Sequence, residues 1–293
     1  MKIVRIWEGL GNQMFQYAYA RYVQERTSEK VFLEGRRMFR SAFPNEDLSV
    51  ERKCGIQHFR IKIKFIKPKY LVKWSYLEQN NIFQKIKFQL ASKKIGKYIF
   101  LSDANSMFMY HDELVKKDKH AYVMGHFFHR DYIEPIRELL LEEFQLKNSI
   151  VIADDMEQIF NSRETVSIHI RRGDYLYTEC VQTINKEMQK KRYYEKAMQY
   201  IADEIDNPFF VIFSDDIEWV KDNFSCPYPK AYMSDKGYKD YEELILMSKC
   251  RHNIIANSTF SFWGGWLNRN TEKIVIVPKH WMPSIVPKEW IQI

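Results

Sequence analysis

The sequence lacks a long apolar run. No window approaches the roughly 18 consecutive apolar residues that a membrane-spanning helix requires. The first residues, Met1 to Ile6, pass directly into a strand-like pattern without an apolar segment of signal-peptide length. We therefore expect a cytoplasmic protein rather than a membrane-spanning or exported one.

Cysteine is scarce. The four cysteines, Cys54, Cys180, Cys226 and Cys250, form no Cys-x-x-Cys pair and have no histidine at zinc-site spacing. This distribution argues against a disulfide framework and a structural zinc site, and it favours reduced thiols. The sequence also contains no Asp-x-Asp, an arrangement that supplies carboxylates to a divalent cation in many enzymes. We expect no bound metal.

What the sequence does contain is enough apolar material for a large core. Of its 293 residues, 45% are hydrophobic and 15% aromatic, which excludes an intrinsically disordered chain. A chain of this length favours two domains of ordinary size over one. Residues 148–162 are polar and acidic, so we predict an N-terminal domain of residues 1–150 and a C-terminal domain of residues 151–293.

Positive charge is concentrated in one segment, residues 52–97. The chain has a net charge of +7, and this segment holds 13 Lys or Arg residues against the single acid Glu78. Aromatic and aliphatic side chains are interspersed with the basic ones. Three interpretations stay open: the solvated face of ordinary strands and helices, attraction to an anionic membrane surface, and contact with a nucleic acid.

Both halves of the chain alternate strand-like and helix-like segments. The N-terminal half begins with a strand over residues 2–7, a glycine-containing turn at residues 9–12, a helix over residues 14–26 and a strand over residues 30–34. In the second half the pattern predicts strands over residues 166–170, 209–213, 253–256 and 274–277. A helix over residues 242–250 carries Asp240 and Glu243 at the spacing of a capping box. We therefore predict an α/β protein with two Rossmann-like domains facing a cleft.

Polar residues follow three strands of the second half. The three loops contain Arg171, Arg172 and Asp174; Ser214, Asp215 and Asp216; and Asn257, Ser258 and Thr259. Because the carboxyl ends of parallel strands meet at one sheet edge, we expect these loops to lie together. Paired guanidinium groups and a helix N-terminus both suit a phosphate or carboxylate. The alternatives are a solvated turn for the two arginines and simple helix caps for the other two loops.

Four motifs together resemble a known family. They are GLGNQMFQYA at residues 9–18, HIRRGDY at residues 169–175, FSDD at residues 213–216 and NSTFSFWGGW at residues 257–266. Their order and sequence resemble the α-1,2-fucosyltransferases of glycosyltransferase family 11, over nearly the whole chain. The Arg-Arg-Gly-Asp-Tyr element is similar to one in α-1,6- and protein O-fucosyltransferases, so the Gly-Leu-Gly-Asn-Gln-Met-Phe start makes family 11 the specific choice.

The resemblance implies a GT-B fold, GDP-L-fucose as donor, inversion at the anomeric carbon and no metal or other cofactor. It assigns donor binding to Arg171, with Arg172 in support, and to further residues that follow the strands: Gly11, Asp174, Ser214, Asp216, Asn257, Ser258 and Thr259. It places Asn12 near donor and acceptor. The acceptor would be a galactose-terminated glycan of a surface-glycan precursor, and a lipid-linked one would suit an enzyme peripheral to the inner face of the membrane. We expect no nucleic acid partner.

The catalytic base is open. Inverting transfer needs a group that takes the proton of the attacking hydroxyl. Glu8 stands where family members commonly have glycine, and it is one candidate; the alternative is a solvated acid at a strand end. His169 is the other candidate, against a histidine packed in the core. Two rival functions also stay open: a transferase of the same fold with another GDP-sugar or linkage, and a basic nucleic-acid-binding protein.

Overall fold

A computed structural model describes residues 1–35, 53–66, 99–102, 107–111, 116, 121–172 and 192–293. The chain divides into two compact units, Met1–Gln145 and Leu146–Ile293. Each has its own sheet, and each is described separately below.

The first unit is built on a parallel sheet of four strands with the order β2-β1-β4-β3. The strands are β1 (Lys2–Arg5), β2 (Val31–Glu34), β3 (Ile99–Ser102) and β4 (Ala121–Met124). The helices are α1 (Leu10–Thr27) and α2 (Arg137–Glu143), with short 3-10 helices at Gly55–His58, Arg130–Tyr132 and Glu134–Ile136. The predicted βαβ start is therefore confirmed, since β1 and β2 pair side by side after crossing through α1.

Helix α1 begins earlier than the sequence predicts. Gly9 is its N-cap in an extended conformation, so Gly11 and Asn12 lie in the first helical turn and not in a separate turn. The helix ends at Thr27, and its C-cap Ser28 adopts a left-handed conformation and donates its backbone N–H to the carbonyl of Gln24. Most α1 side chains are buried. This explains why the helix has no clean polar face and why its apolar spacing alone predicts its start poorly.

Polar groups are buried beneath α1 as well. The Tyr17 hydroxyl donates to Glu143 of α2 and accepts the Lys62 backbone N–H at 2.9 Å. Arg21 forms an ion pair with the same Glu143 at 2.8 Å, and this carboxylate is only 3% exposed. Burial and the Glu143 carboxylate raise the pKa of Tyr17, so it stays a neutral donor. The network therefore ties α2 and the segment after Gly55–His58 to the first helix.

The second unit contains a six-stranded sheet in the order β10-β9-β8-β5-β6-β7, in which every pair is parallel. The strands are β5 (Thr165–Ile170), β6 (Phe209–Ser214), β7 (Lys230–Tyr232), β8 (His252–Ile254), β9 (Val275–Val277) and β10 (Ile291–Gln292). The helices are α3 (Asp154–Ser162), α4 (Tyr193–Glu204), α5 (Ile217–Asn223), α6 (Asp240–Lys249) and α7 (Thr259–Leu267).

Buried residues cover both faces of this second sheet. Val166, Ile168 and Ile170 of β5 pack on the side of α4, whereas alternate residues of β6, Val211 and Phe213, pack on the side of α6. This explains the continuous apolar strands, because a parallel sheet with helices on both faces buries every side chain. The predicted α/β class, with a parallel sheet in each of two units as GT-B proteins have, is confirmed.

The capping prediction for α6 is wrong by one residue. The helix has Lys239 as its N-cap, and the Lys239 backbone N–H donates to Glu242 at 2.8 Å. Asp240 is therefore the first helical residue and Glu243 is left without the predicted capping role. Among the described residues, no helix has the length and apolar character needed to cross a membrane.

Candidate active site

The three polar loops of the second unit follow neighbouring strands. Strand β5 lies between β8 and β6, and all three run parallel, so their carboxyl ends share one edge of the sheet. Ile170 is level with Ser214 in the β5–β6 register. The residues after these two positions are therefore adjacent in space, as the sequence predicts from strand order.

Arginine and aspartate side chains pair across this edge. The Arg171 guanidinium lies 2.9 Å from a carboxylate oxygen of Asp215, and the side chains are 19% and 23% exposed. The other oxygen of Asp215 accepts the backbone N–H of Arg172 at 2.8 Å. One carboxylate thus fixes both the side chain of Arg171 and the backbone of the residue that follows it.

Arg172 is held on two further sides. Its Nε donates to Asp216 at 3.0 Å, and its guanidinium carbon lies 3.4 Å from the ring centroid of Trp219 on α5. The cationic plane therefore rests on an aromatic face while its edge is bound to a carboxylate. Arg172 is thus oriented both by an ion pair and by an aromatic ring, and the Arg171 guanidinium is paired with Asp215.

Ser214 and Ser258 both organise backbone at this edge. The Ser214 hydroxyl accepts the Asp216 backbone N–H at 3.0 Å, and the Ser214 backbone N–H donates to Ser234 at 3.0 Å. Ser258 is the N-cap of α7, and its hydroxyl accepts the backbone N–H of Phe260 at 3.3 Å. Asn257 and Ser258 are each 6% exposed, and Thr259 opens the helix. The helix N-terminus thus lies beyond the strand next to the arginines.

His169 is a core residue. It lies on β5, is 3% exposed, and its ring centroid is 5.4 Å from that of Phe260. Burial, with a smaller contribution from the charge of Arg171, lowers its pKa to about 3. Its Nδ1 has no hydrogen-bond partner among the described residues. A buried imidazole with so low a pKa is a weak base, and it is unsuited to removing a proton from the hydroxyl group of a substrate.

Glu243, which the sequence predicts as part of a capping box, lies near enough to Asp215 to feel its charge. Burial, together with the negative charges of Asp240 and Asp215, raises the pKa of Glu243 to about 7, although a hydrogen bond to Ser234 opposes the shift. The protonation of Glu243 near neutral pH therefore alters the charge balance next to Asp215.

A second group of polar residues lies in the first unit, after β1. Glu8 has a φ of 65°. Its Oε2 accepts from the side-chain amide of Asn12 and lies 3.2 Å from Nε2 of His126. Gly11 lies beside Asn12 in the first turn of α1 and is buried. The structure thus brings Glu8 and Asn12 together.

Some predicted features lie outside the described residues: Asp174, which follows the two arginines, and most of the basic segment, residues 67–97. Three contributors were not predicted. Trp219 lies one helical turn beyond Asp216, so its position on α5 was a usable signal. His126 and Ser234 carry no comparable signal, because only the pairing of strands brings them to their partners.

The structure is therefore that of an α/β protein in which paired arginines and a capped helix N-terminus lie at one edge of a parallel sheet. The family model described as Glycosyl transferase family 11 matches residues 1–292. The chain belongs to this family and is a glycosyltransferase, which acts on a nucleotide-sugar donor and a glycan acceptor. The predicted resemblance is confirmed.

Two relatives align with almost the whole chain. The O-antigen biosynthesis glycosyltransferase WbnK of Escherichia coli is 30% identical and covers 93% of this chain and 92% of its own length. The α-1,2-colitosyltransferase of Escherichia coli is 29% identical, with coverages of 99% and 98%. Human galactoside α-(1,2)-fucosyltransferase 1 is 29% identical over 36% of this chain and 29% of its own length. Among solved structures, fucosyltransferase NodZ from Bradyrhizobium has a TM-score of 0.46 at 10% identity, covering 90% of this chain and 91% of its own.

Proposed function

We propose that this glycosyltransferase moves L-fucose from GDP-L-fucose to the 2-hydroxyl of a β-galactoside, with inversion and without a metal ion. The observation that carries the proposal is the pair of fixed arginines at the sheet edge, Arg171 on Asp215 and Arg172 on Asp216. A nucleoside diphosphate leaving group needs cationic donors that are already in place when charge develops on it.

In this proposal Arg171 contacts the β-phosphate and stabilises the departing diphosphate. The N-terminus of α7, with Ser258 as its cap and Thr259 as its first residue, adds backbone N–H groups and a positive dipole end. Arg172 orients the loop through Asp216 and Trp219. Asp216, at the start of α5, is the candidate partner for the guanine or ribose.

The same contacts support metal-independent transfer. The carboxylates at this edge, Asp215 and Asp216, are engaged by arginines, and a divalent cation would have to displace those arginines to bind them. Charge on the diphosphate would then be neutralised by guanidinium and helix donors. Turnover in EDTA equal to turnover with Mg²⁺ or Mn²⁺ supports this part, and loss of activity restored by metal contradicts it.

We also propose a galactose-terminated precursor of a surface glycan as the acceptor, in the cytoplasm. The human relative is named for galactosides, and WbnK for O-antigen synthesis. A lipid-linked acceptor at an anionic membrane surface would account for the positive charge of residues 52–97, which we do not assign to nucleic acid binding. Flotation with vesicles of anionic or neutral lipid tests the membrane part: binding to the anionic vesicles is expected, and equal absence of binding from both overturns it.

Colitosyl transfer is a second candidate. The colitosyltransferase aligns with 99% of this chain, whereas the human fucosyltransferase aligns with 36% of it. Colitose is the 3-deoxy form of L-fucose, so the diphosphate contacts proposed above would serve either donor. The two donors differ in their sugars, so the proposed contacts of the arginines do not distinguish them.

One experiment tests both candidates. Purified protein is incubated with GDP-L-fucose or GDP-colitose and a panel of β-galactosides, and products are identified by mass spectrometry and linkage analysis. The proposal predicts an α-1,2-fucosylated galactoside with a higher kcat/KM for GDP-L-fucose. A higher kcat/KM for GDP-colitose establishes the second candidate instead, and absence of transfer from both donors overturns both.

A further inference from the structure

Among the described residues of the arginine edge, Asp215 and Asp216 are paired with arginines and His169 is buried, and the first unit offers another candidate for the base that removes the acceptor proton. Glu8 follows β1 and His126 follows β4, two neighbouring parallel strands whose register pairs Val4 with Val123. The connection from β1 leads to β2 on one side, whereas β3 and β4 lie on the other. Ligands of open α/β sheets bind beyond the carboxyl ends of the strands at such a reversal of strand order.

The backbone at Glu8 is unusual. Its φ of 65° lies in the left-handed region, where glycine is favoured and a side chain is strained. Strain of this kind persists where the surroundings hold the residue, and it is often found at functional sites. Glycine would therefore adopt the backbone conformation of residue 8 with less strain than glutamate does.

The Glu8 carboxylate is held in a defined place but is still accessible. The Asn12 amide and the His126 ring meet the same oxygen, Oε2. The backbone carbonyl of Glu8 also accepts the side-chain amide of Gln13 at 2.8 Å. The Glu8 side chain is 37% exposed, against 17% for His126. An acceptor hydroxyl can thus reach the carboxylate without entering the core.

The imidazole is itself fixed by aromatic packing. The ring centroid of His126 lies 4.8 Å from that of Trp7 and 5.1 Å from that of Phe128. Two rigid neighbours thus set the direction from which Nε2 approaches Glu8. This arrangement of a carboxylate with an orienting partner is the one that general bases require.

A purely structural role for Glu8 makes a different prediction. A carboxylate just before the N-cap of α1 can stabilise the helix through its dipole and through Asn12. In that case loss of the carboxylate lowers stability and has little effect on turnover. Stability and turnover must therefore be measured on the same variants.

We infer that Glu8 is the general base of the transfer and that His126 is its positioning residue; this inference rests on the proposed function. In the reaction the acceptor O–H bond breaks and its proton passes to the Glu8 carboxylate. The acceptor oxygen forms a bond to the anomeric carbon, while the bond from that carbon to the β-phosphate oxygen breaks. The bonding electron pair leaves with GDP.

The test uses two variants. Glu8→Gln keeps the size and shape of the side chain but cannot take up a proton, and Glu8→Gly removes the side chain and relieves the strain of the left-handed backbone. Both lose about 10²- to 10⁴-fold in kcat, the usual contribution of general base catalysis. The affinity for GDP is unchanged, and the melting temperature of Glu8→Gly equals or exceeds that of the wild type. Asp131→Asn is the matched control, because Asp131 also pairs with a histidine, His129 at 3.6 Å, in the same unit.

His126 is tested by variants that separate its packing from its hydrogen bond. His126→Phe keeps the ring and loses up to about a hundredfold in kcat with KM unchanged, because the carboxylate is no longer oriented. His126→Gln restores a donor at the same reach and recovers most of the activity. Retained activity in His126→Phe together with a loss in His126→Gln shows that the ring is needed for packing alone and overturns the positioning role.

Failure of the proposed function and failure of the role of Glu8 give different results. If the wild type transfers no sugar from either GDP donor, the proposed function fails before Glu8 is tested. If the wild type transfers sugar and Glu8→Gln retains more than a tenth of its kcat, Glu8 is not the base. A fall in melting temperature that accounts for the lost activity of both Glu8 variants likewise overturns the inference in favour of the structural role.

Discussion

The contact between Arg172 and Trp219 allows a quantitative test of how the arginine edge is built. Trp219 is replaced by Leu, which keeps an apolar side chain on α5 and removes the aromatic face 3.4 Å from the guanidinium carbon. The ion pair to Asp216 at 3.0 Å is left in place. In this variant the Arg172 guanidinium keeps its hydrogen bond to Asp216 but loses its contact with an aromatic ring.

The expected magnitude follows from the exposure of the pair. Arg172 is 16% exposed, so its contact with the ring is partly desolvated. Cation–π contacts contribute about 0.5 kcal/mol at exposed sites and about 2 kcal/mol when desolvated. If this energy holds Arg172 in the orientation that the diphosphate site needs, Trp219→Leu raises the Kd for GDP by about 2-fold to 30-fold.

The assay is a double-mutant cycle on the GDP dissociation constant, measured by calorimetry with Trp219→Leu, Arg172→Gln and the double variant. We expect the Trp219 substitution to have almost no effect in the Arg172→Gln background, because the cation that the ring holds is gone. The same fold increase in both backgrounds refutes the reasoning. Urea unfolding of each variant controls for loss of the folded state.

Three further predictions concern charge and packing. Burial raises the pKa of Glu243 from the ordinary 4.5 to about 7, so the wild-type protein loses stability as the pH rises from 4.5 to 7 and this carboxyl group must ionise. Glu243→Gln removes that cost, and it therefore raises the free energy of unfolding by about 1–3 kcal/mol at pH near 8 but not at pH near 4. Gly265→Ala lowers it by about 1–3 kcal/mol despite the better helix propensity of alanine, because the new Cβ would lie 3.0 Å from Val275. Glu143→Ala lowers it by about 1–3 kcal/mol, because the Tyr17 hydroxyl loses its buried acceptor and Arg21 keeps only Glu25 as a carboxylate partner. Urea titration measures all three.

Each of these has a result that would contradict it. An equal effect of Glu243→Gln at both pH values would mean that its ionisation is not coupled to folding. A stabilised Gly265→Ala would show that the sheet yields easily to the added methyl. A neutral Glu143→Ala would mean that the ion pair only offsets its own desolvation.

The strands that the sequence predicts are the ones buried on both faces. Strands β5 and β6 are continuous apolar runs, so their position and the alignment of their polar loops followed from pattern alone. Strand β7 was not predicted, because Lys230–Tyr232 is a short edge strand of mixed exposure that depends on pairing with β6. Strand β10, only two residues long, depends in the same way on β9.

The site shows the same division. Arg171, Arg172 and the loop at Ser214 could be grouped in advance, because parallel strands bring their carboxyl ends together. His126 could not be placed beside Glu8, because that contact depends on the pairing of β1 with β4 and on a side-chain direction that no local pattern specifies. A shift of one residue in the start of α6 changes the direction assigned to each side chain by about 100°. Glu243 was therefore predicted as part of a cap, whereas it lies near Asp215.

In the proposed function Arg171 stabilises the departing diphosphate. The turnover of Arg171→Ala with GDP-L-fucose and an accepted β-galactoside tests this role most directly. Arg192→Ala is the matched control, since Arg192 lies in the same unit with its side chain 73% exposed. We expect a loss of about 10²- to 10³-fold in kcat for Arg171→Ala and none for the control. Wild-type turnover and GDP affinity in Arg171→Ala would contradict it.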